Sequence, residues 1–201
     1  MKKTIFYLII MVFGWSFTNA QDNVLRLVSS SIELEPFTSG YVNASGDTVI
    51  PIGKYTYCFT EKFDKIAIVS LKKHSGFYAI DRNEKVLFEV LGIDNGPDYV
   101  KDGLFRIKEN EKIGFANMNG EIVIKPQFDL ALPFFDGYAA VCVGGQLILE
   151  HEMRFREGGK WGFIDKSGRL VVPLIYDRAY SVKDGKALVE KNKEKIQIDI
   201  K

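Results

Sequence analysis

The chain is poor in the residues that most often carry chemistry. Its two histidines, His74 and His151, stand far apart with no histidine four residues away. His151-Glu152 begins like the helical H-E-x-x-H zinc motif, but Phe155 stands where the second ligand belongs. Both read as surface histidines, and no metal site and no cofactor is expected. Cysteine is equally scarce: Cys58 and Cys142 are the only two. An oxidising compartment would permit a disulfide, but bridging needs Cα atoms within about 7 Å. The two are expected to be separate buried thiols. Serines such as Ser29, Ser75, Ser167 and Ser181 lack a G-x-S-x-G elbow, so no catalytic residue is assigned. A surplus of charge is missing too. With residues 1–20 removed, 25 basic residues face 26 acidic ones, which argues against a nucleic-acid partner.

Long apolar runs are confined to the start. Lys2 and Lys3 precede an uncharged stretch from Ile5 to Phe17, and Thr18-Asn19-Ala20 precedes Gln21. This reads as a signal peptide over residues 1–20, cleaved before Gln21 and too short to span a bilayer comfortably. No later segment is long enough to cross a membrane. The expected address is therefore the periplasm, the outer surface or the outside of the cell.

What the chain has instead is a pattern written four times, in copies starting near Gly40, Tyr78, Gly114 and Gly162. A second glycine follows six residues later at Gly46, Gly120 and Gly168 and reads as a hairpin turn, with Asn119-Gly120 and Ser167-Gly168 suited to φ > 0. In the second copy Glu84 stands at that place, with Asn83 beside it as the residue better able to turn left-handed. Proline at Pro51, Pro126 and Pro173 is expected to close the second strand. Then come Phe128-Asp129 and Tyr176-Asp177, a glycine, and a third apolar run at 137–141 and 185–189. Each copy is thus about three strands.

The segment Gly159 to Asp165 (Gly-Lys-Trp-Gly-Phe-Ile-Asp, with Trp161 and Gly162), Gly168, Val171 to Pro173, Tyr176-Asp177 and Gly185 to Val189 resembles the WG-repeat family; the copy from Glu111 to Val141 follows it closely. The resemblance implies a bacterial β-repeat module and brings no catalytic residues. The expected fold is all-β, with antiparallel three-stranded or hairpin repeats stacked into an open, curved or solenoid-like array; a closed, propeller-like arrangement is the alternative. Residues 21–36 are expected to lead or cap the repeat domain at 37–201, and Lys195 to Lys201 to close it.

The third copy is longer than the others because of an inserted hairpin at 143–158. Leu147, Leu149, His151, Met153, Arg154, Phe155 and Arg156 mix apolar and charged character and form the candidate interaction surface. Ile93-Asp94-Asn95-Gly96-Pro97-Asp98 offers oxygen ligands but lacks the spacing of a calcium loop and reads as turn chemistry. Repeated aromatics such as Phe115, Phe128, Phe134, Phe163 and Trp161 read as core rather than as a sugar-stacking platform. The expected function is an exported, non-catalytic scaffold binding an unidentified protein or glycan in the bacterial cell envelope. The alternative is an envelope-polymer hydrolase or lyase drawing on Asp129, Asp165 and Asp177.

Overall fold

The computed structural model describes residues 23–30, 38–150 and 153–200, with backbone alone at 149–150 and 153–156. The expected signal peptide, residues 21–22 and 31–37, and His151 lie outside the described residues. All named elements are strands, and they fall into five consecutive antiparallel meanders. The first comprises β1 (Leu25–Ser29), β2 (Ser39–Val42) and β3 (Thr48–Ile50). The second comprises β4 (Tyr57–Cys58), β6 (Ile66–Ser70), β7 (Phe77–Asp81) and β8 (Val86–Val90); β5 (Lys62–Phe63) leaves it to pair with β1. A small hairpin of β9 (Gly92–Ile93) and β10 (Gly96–Pro97) leads to the third, β11 (Leu104–Glu109), β12 (Lys112–Asn117) and β13 (Ile122–Phe128). The fourth begins with β14 (Leu130–Ala131) and β15 (Tyr138–Val143). It is interrupted by β16 (Gln146–Glu150) and β17 (Met153–Glu157), then resumes with β18 (Lys160–Asp165) and β19 (Leu170–Tyr176). The fifth is β20 (Arg178–Ala179), β21 (Lys186–Lys191) and β22 (Glu194–Asp199).

The hydrogen-bonded unit is shifted from the sequence repeat. The third apolar run of one copy pairs with the first strand of the next: β15 meets β18 from Tyr138↔Asp165 to Val143↔Lys160. Each of the three inner meanders thus straddles the boundary between two copies, and neighbouring copies are laced together by backbone ladders. Between the second and third meanders the lacing extends further, since β8 also pairs with β11 and the two share one seven-stranded sheet.

Side-chain alternation along the strands then does the stacking. Ala139 and Val141 of β15 face the core shared with the third meander, while Ala140 faces the core shared with the fifth. Ile164 and Phe163 divide in the same way. Four apolar layers result, one between each pair of successive meanders. Phe115, Phe128, Phe134 and Phe163 are buried in them, and Phe115 meets Phe134 edge-on at 4.7 Å. Among the described residues no ladder and no core layer joins the first meander to the last, as befits an open array rather than a closed ring.

The glycine at the start of each pattern has one physical reason. A Cβ on Gly40, Gly114 or Gly162 would collide with the carbonyl oxygen of Ile50, Ile124 or Val172 on the adjacent strand. That strand bulges toward the glycine: Phe163 pairs with Val172 but Trp161 pairs with Tyr176, so two extra residues on β19 are accommodated there. The same offset separates Phe115↔Ile124 from Ile113↔Phe128. Pro126 and Pro173 sit inside these bulges, where no ladder hydrogen bond is asked of them, and the strands run on to Phe128 and Tyr176. Proline therefore does not end the strand at these two sites. In the second copy Tyr78 replaces the glycine, and β7 and β8 pair without a break from Phe77↔Val90 to Ala79↔Phe88.

The turn six residues on is a three-residue loop in all four copies. Asn43, Asp81, Asn117 and Asp165 open it, each accepting from the backbone N–H three residues ahead through its carbonyl. The side chains of all four also accept from the backbone N–H four residues ahead. Gly46, Gly120 and Gly168 take positive φ, as expected. In the second copy Glu84 itself is left-handed at φ 62°, not Asn83. Two further families of turns recur. Asp102-Gly103, Asp136-Gly137 and Asp184-Gly185 are two-residue turns with both φ positive, closed by Lys101↔Leu104, Phe135↔Tyr138 and Lys183↔Lys186. Asn110-Glu111 and Asn192-Lys193 likewise join β11 to β12 and β21 to β22.

Candidate binding surfaces

The repeated acidic residues are engaged in architecture. Asp177 accepts from Lys160 Nζ at 2.6 Å through Oδ1 and from the Asn192 backbone N–H at 2.8 Å through Oδ2. Asp129 does the same with Lys112 Nζ and the Gly144 N–H. One carboxylate thereby ties the start of a repeat's first strand to the turn that ends its third. Asp165 holds Ser167 and Arg169. The Ser167 hydroxyl does most to draw the Asp165 carboxyl below its ordinary range, and Lys160 does the same for Asp177. Trp161 and Tyr176 are paired across strands and packed, half-buried, on the last core layer. Cys58 and Cys142 are buried and form no disulfide, and burial pushes the Cys58 thiol up.

The loop read as turn chemistry between β8 and β11 is pinned from beneath. Asp98 and Arg106 are both buried, and the guanidinium grips both carboxylate oxygens at 2.7 and 2.9 Å while donating to the Ala131 carbonyl. The Arg106 backbone N–H adds a further bond to Asp98. With its carboxylate committed in this way, Asp98 is no free ligand for a cation. Gly92 lies against Phe77, where a Cβ would come within 3.1 Å of the ring.

So anchored, the loop forms one wall of a groove of about 410 Å³ lined by Phe59, Ile68, Pro97, Tyr99, Val100 and Met118. Tyr99 is 70% exposed. An aromatic row continues from the groove, Phe77 against Phe59 at 5.2 Å and Phe59 against Tyr57 at 6.2 Å. Tyr57, Phe59 and Val100 are exposed as well. Of the groove's polar side chains, Asp98 is held by Arg106 and Thr60 Oγ1 accepts from the Ile68 N–H. Sequence reasoning passed over this surface. The available signal was Tyr99-Val100, an apolar pair directly after a turn-forming Asn-Gly-Pro-Asp.

The inserted hairpin forms a second surface. Its strands keep the register of β15 and β18: Val143↔Lys160 is followed by Gln146↔Glu157 and continues to Glu150↔Met153. Between them stand Gly144, Gly145, Gly158 and Gly159, all left-handed. Gly144 and Gly159 occupy the two turn positions filled by Asn110-Glu111 and Asn192-Lys193 in neighbouring meanders, and the hairpin at 145–158 stands beyond them. Leu147 is 54% exposed. The register sets Leu147 opposite Arg156 and Leu149 opposite Arg154, with Phe155 opposite Ile148. The side chains of Leu149, Met153, Arg154, Phe155 and Arg156 lie outside the described residues, as does His151.

Residues 113–146 and 161–194 each match the family described as WG containing repeat. The two matches cover the third and fourth copies, those with the glycine, the bulge and the aromatic-Asp lock all present. No curated protein matches the sequence.

Proposed function

From a chain that carries two WG containing repeats, we propose an exported, non-catalytic scaffold of the bacterial cell envelope that binds a protein segment in the groove between Phe59 and Tyr99. The observation that carries this reading is the exposed aromatic row ending in a groove whose loop wall is fixed by a buried ion pair. Aromatic rings present large contact area at low entropic cost, and a pinned wall requires little ordering on binding. A protein segment suits the groove better than a glycan. Sugar recognition calls for several free hydrogen-bonding groups beside the rings, whereas the Asp98 carboxylate is held by Arg106, Thr60 Oγ1 already accepts from the Ile68 N–H, and most of the remaining lining is apolar.

The test is affinity capture from a source-cell envelope fraction with residues 21–201, beside a Phe59→Ala/Tyr99→Ala version whose melting temperature is checked to be unchanged. A protein held by the first and lost by the second supports the reading. Equal capture by both moves the contact elsewhere, and binding to an envelope-glycan array but to no protein replaces the protein with a glycan. Export is tested separately: N-terminal sequencing of the native protein should begin at Gln21.

A further inference from the structure

We infer that this chain forms a two-fold dimer in which β16 pairs antiparallel with β16 of a second copy. The inference is independent of the groove. Strands β16 and β17 form a two-stranded sheet with no third strand beside either among the described residues. None of the described residues between 146 and 157 joins a core layer. A lone two-stranded ribbon is marginal in water, and each outer edge presents backbone donors and acceptors that a further strand would satisfy.

The other edges of the array are managed. β4, β5, β14 and β20 are two residues long and β3 three, β13 and β19 carry Pro126 and Pro173 in their bulges, and β22 carries Glu194, Lys195 and Asp199. Strand β16 has no such protection. It reads Gln-Leu-Ile-Leu-Glu, three branched aliphatic residues in succession with no lysine and no proline, and Leu147 is exposed.

The two edges differ in what they accept. Pairing β16 with itself about Ile148 sets Ile148 against Ile148, Leu147 against Leu149 and Gln146 against Glu150, with no like charges opposed. Pairing β17 with itself about Phe155 sets Arg154 against Arg156 twice, and like charges directly opposite one another destabilise a sheet. A second copy therefore fits on the β16 side, giving the strand order β17, β16, β16, β17. The glycines at 144, 145, 158 and 159 take the joint out of the body's sheet and leave the ribbon room to meet its mate.

Sedimentation equilibrium of residues 21–201, from low to high micromolar concentration, should show a monomer giving way to a dimer. Removing residues 145–158 leaves Gly144-Gly159 as a two-residue turn like its neighbours, and should give a monomer throughout with an unchanged melting temperature. Leu147→Lys should weaken the dimer at least tenfold. Because Ile148 lies on the two-fold axis, Ile148→Cys should cross-link to itself under mild oxidation while Phe155→Cys should not. An unaltered chain that stays monomeric at every concentration overturns the inference. So does a dimer that survives the deletion, or one that cross-links through Phe155→Cys instead.

Discussion

Glycine 162 and glutamate 84 show how much hangs on single positions. Gly162 is required by proximity rather than by backbone conformation, since its φ is not in the left-handed region and the obstacle to a side chain is the Val172 carbonyl. Gly46 is the reverse, at φ 89° with open space around it. Gly162→Ala should therefore cost about 1–3 kcal/mol through overpacking, and Gly46→Ala about 1 kcal/mol through the left-handed backbone alone; urea denaturation of the two side by side would show the order. Glu84 carries the backbone strain that glycine avoids, and its side chain compensates. It accepts from Lys54 Nζ at 2.6 Å and from the Tyr55 hydroxyl at 2.7 Å, tying the first link to the second turn. Partial burial raises the Glu84 carboxyl, but the bonds from Lys54 and Tyr55 outweigh it and the net shift is downward. A carboxylate with a lowered folded pKa stabilises above its unfolded value, about 4.3, and loses that contribution as pH falls through the folded value. The stability gap between the native protein and Glu84→Gln should accordingly be full at neutral pH and shrink in acid. A gap that is constant with pH would refute the role given to the carboxylate.

At the scale of strands and turns, the sequence disclosed what repeats and hid what pairs. The turn glycines, the aromatic-Asp pairs and the apolar runs were legible because each is fixed by local chemistry: a left-handed φ, a carboxylate beside a strand end, a period of two. Pairing between copies was not, because a run at 138–143 looks the same whether it hydrogen-bonds backward or forward. Pro126 and Pro173 misled for a related reason. A proline inside a strand is tolerated at a bulge, and the bulge is visible only once the facing glycine is in place. The groove was hidden because Phe59 and Tyr99 are brought together by the buried Asp98–Arg106 pair, 8 residues apart in the chain with no repeat behind it. Strand β22 was legible as a closing strand, but only part of its alternation reaches the core: Ile198 and Ile200 pack on the last core layer, while Ile196 is exposed and does not join it. Deleting Lys195 to Lys201 removes the two isoleucines that pack on the core and half of the last hairpin, and should lower the melting temperature or leave the chain insoluble. An unchanged melt would show that β22 is dispensable.

Across the whole molecule, four core layers in series mean that each meander is supported mainly by its neighbours. Stability in such a chain is close to a sum of unit and interface terms, and the ends open before the middle. Trp161 is the only tryptophan after residue 20 and packs on the last layer, so its fluorescence reports the C-terminal end alone. Val189→Ala, which thins that layer, should move the fluorescence transition to lower denaturant than the far-ultraviolet dichroism transition of the same variant. Coincident transitions would indicate that the array unfolds as one block. The shared register of body and ribbon carries a consequence for length. Because Val143↔Lys160 and Gln146↔Glu157 belong to one ladder count, residues added in facing pairs beyond the glycine joint extend the ribbon without disturbing the body. Five pairs reach about 17 Å, each further pair adds about 3.4 Å, and two pairs restore the same face at the tip. The joint is thus a gauge: facing pairs added or removed beyond it would set the distance between two paired bodies and leave the repeats themselves untouched.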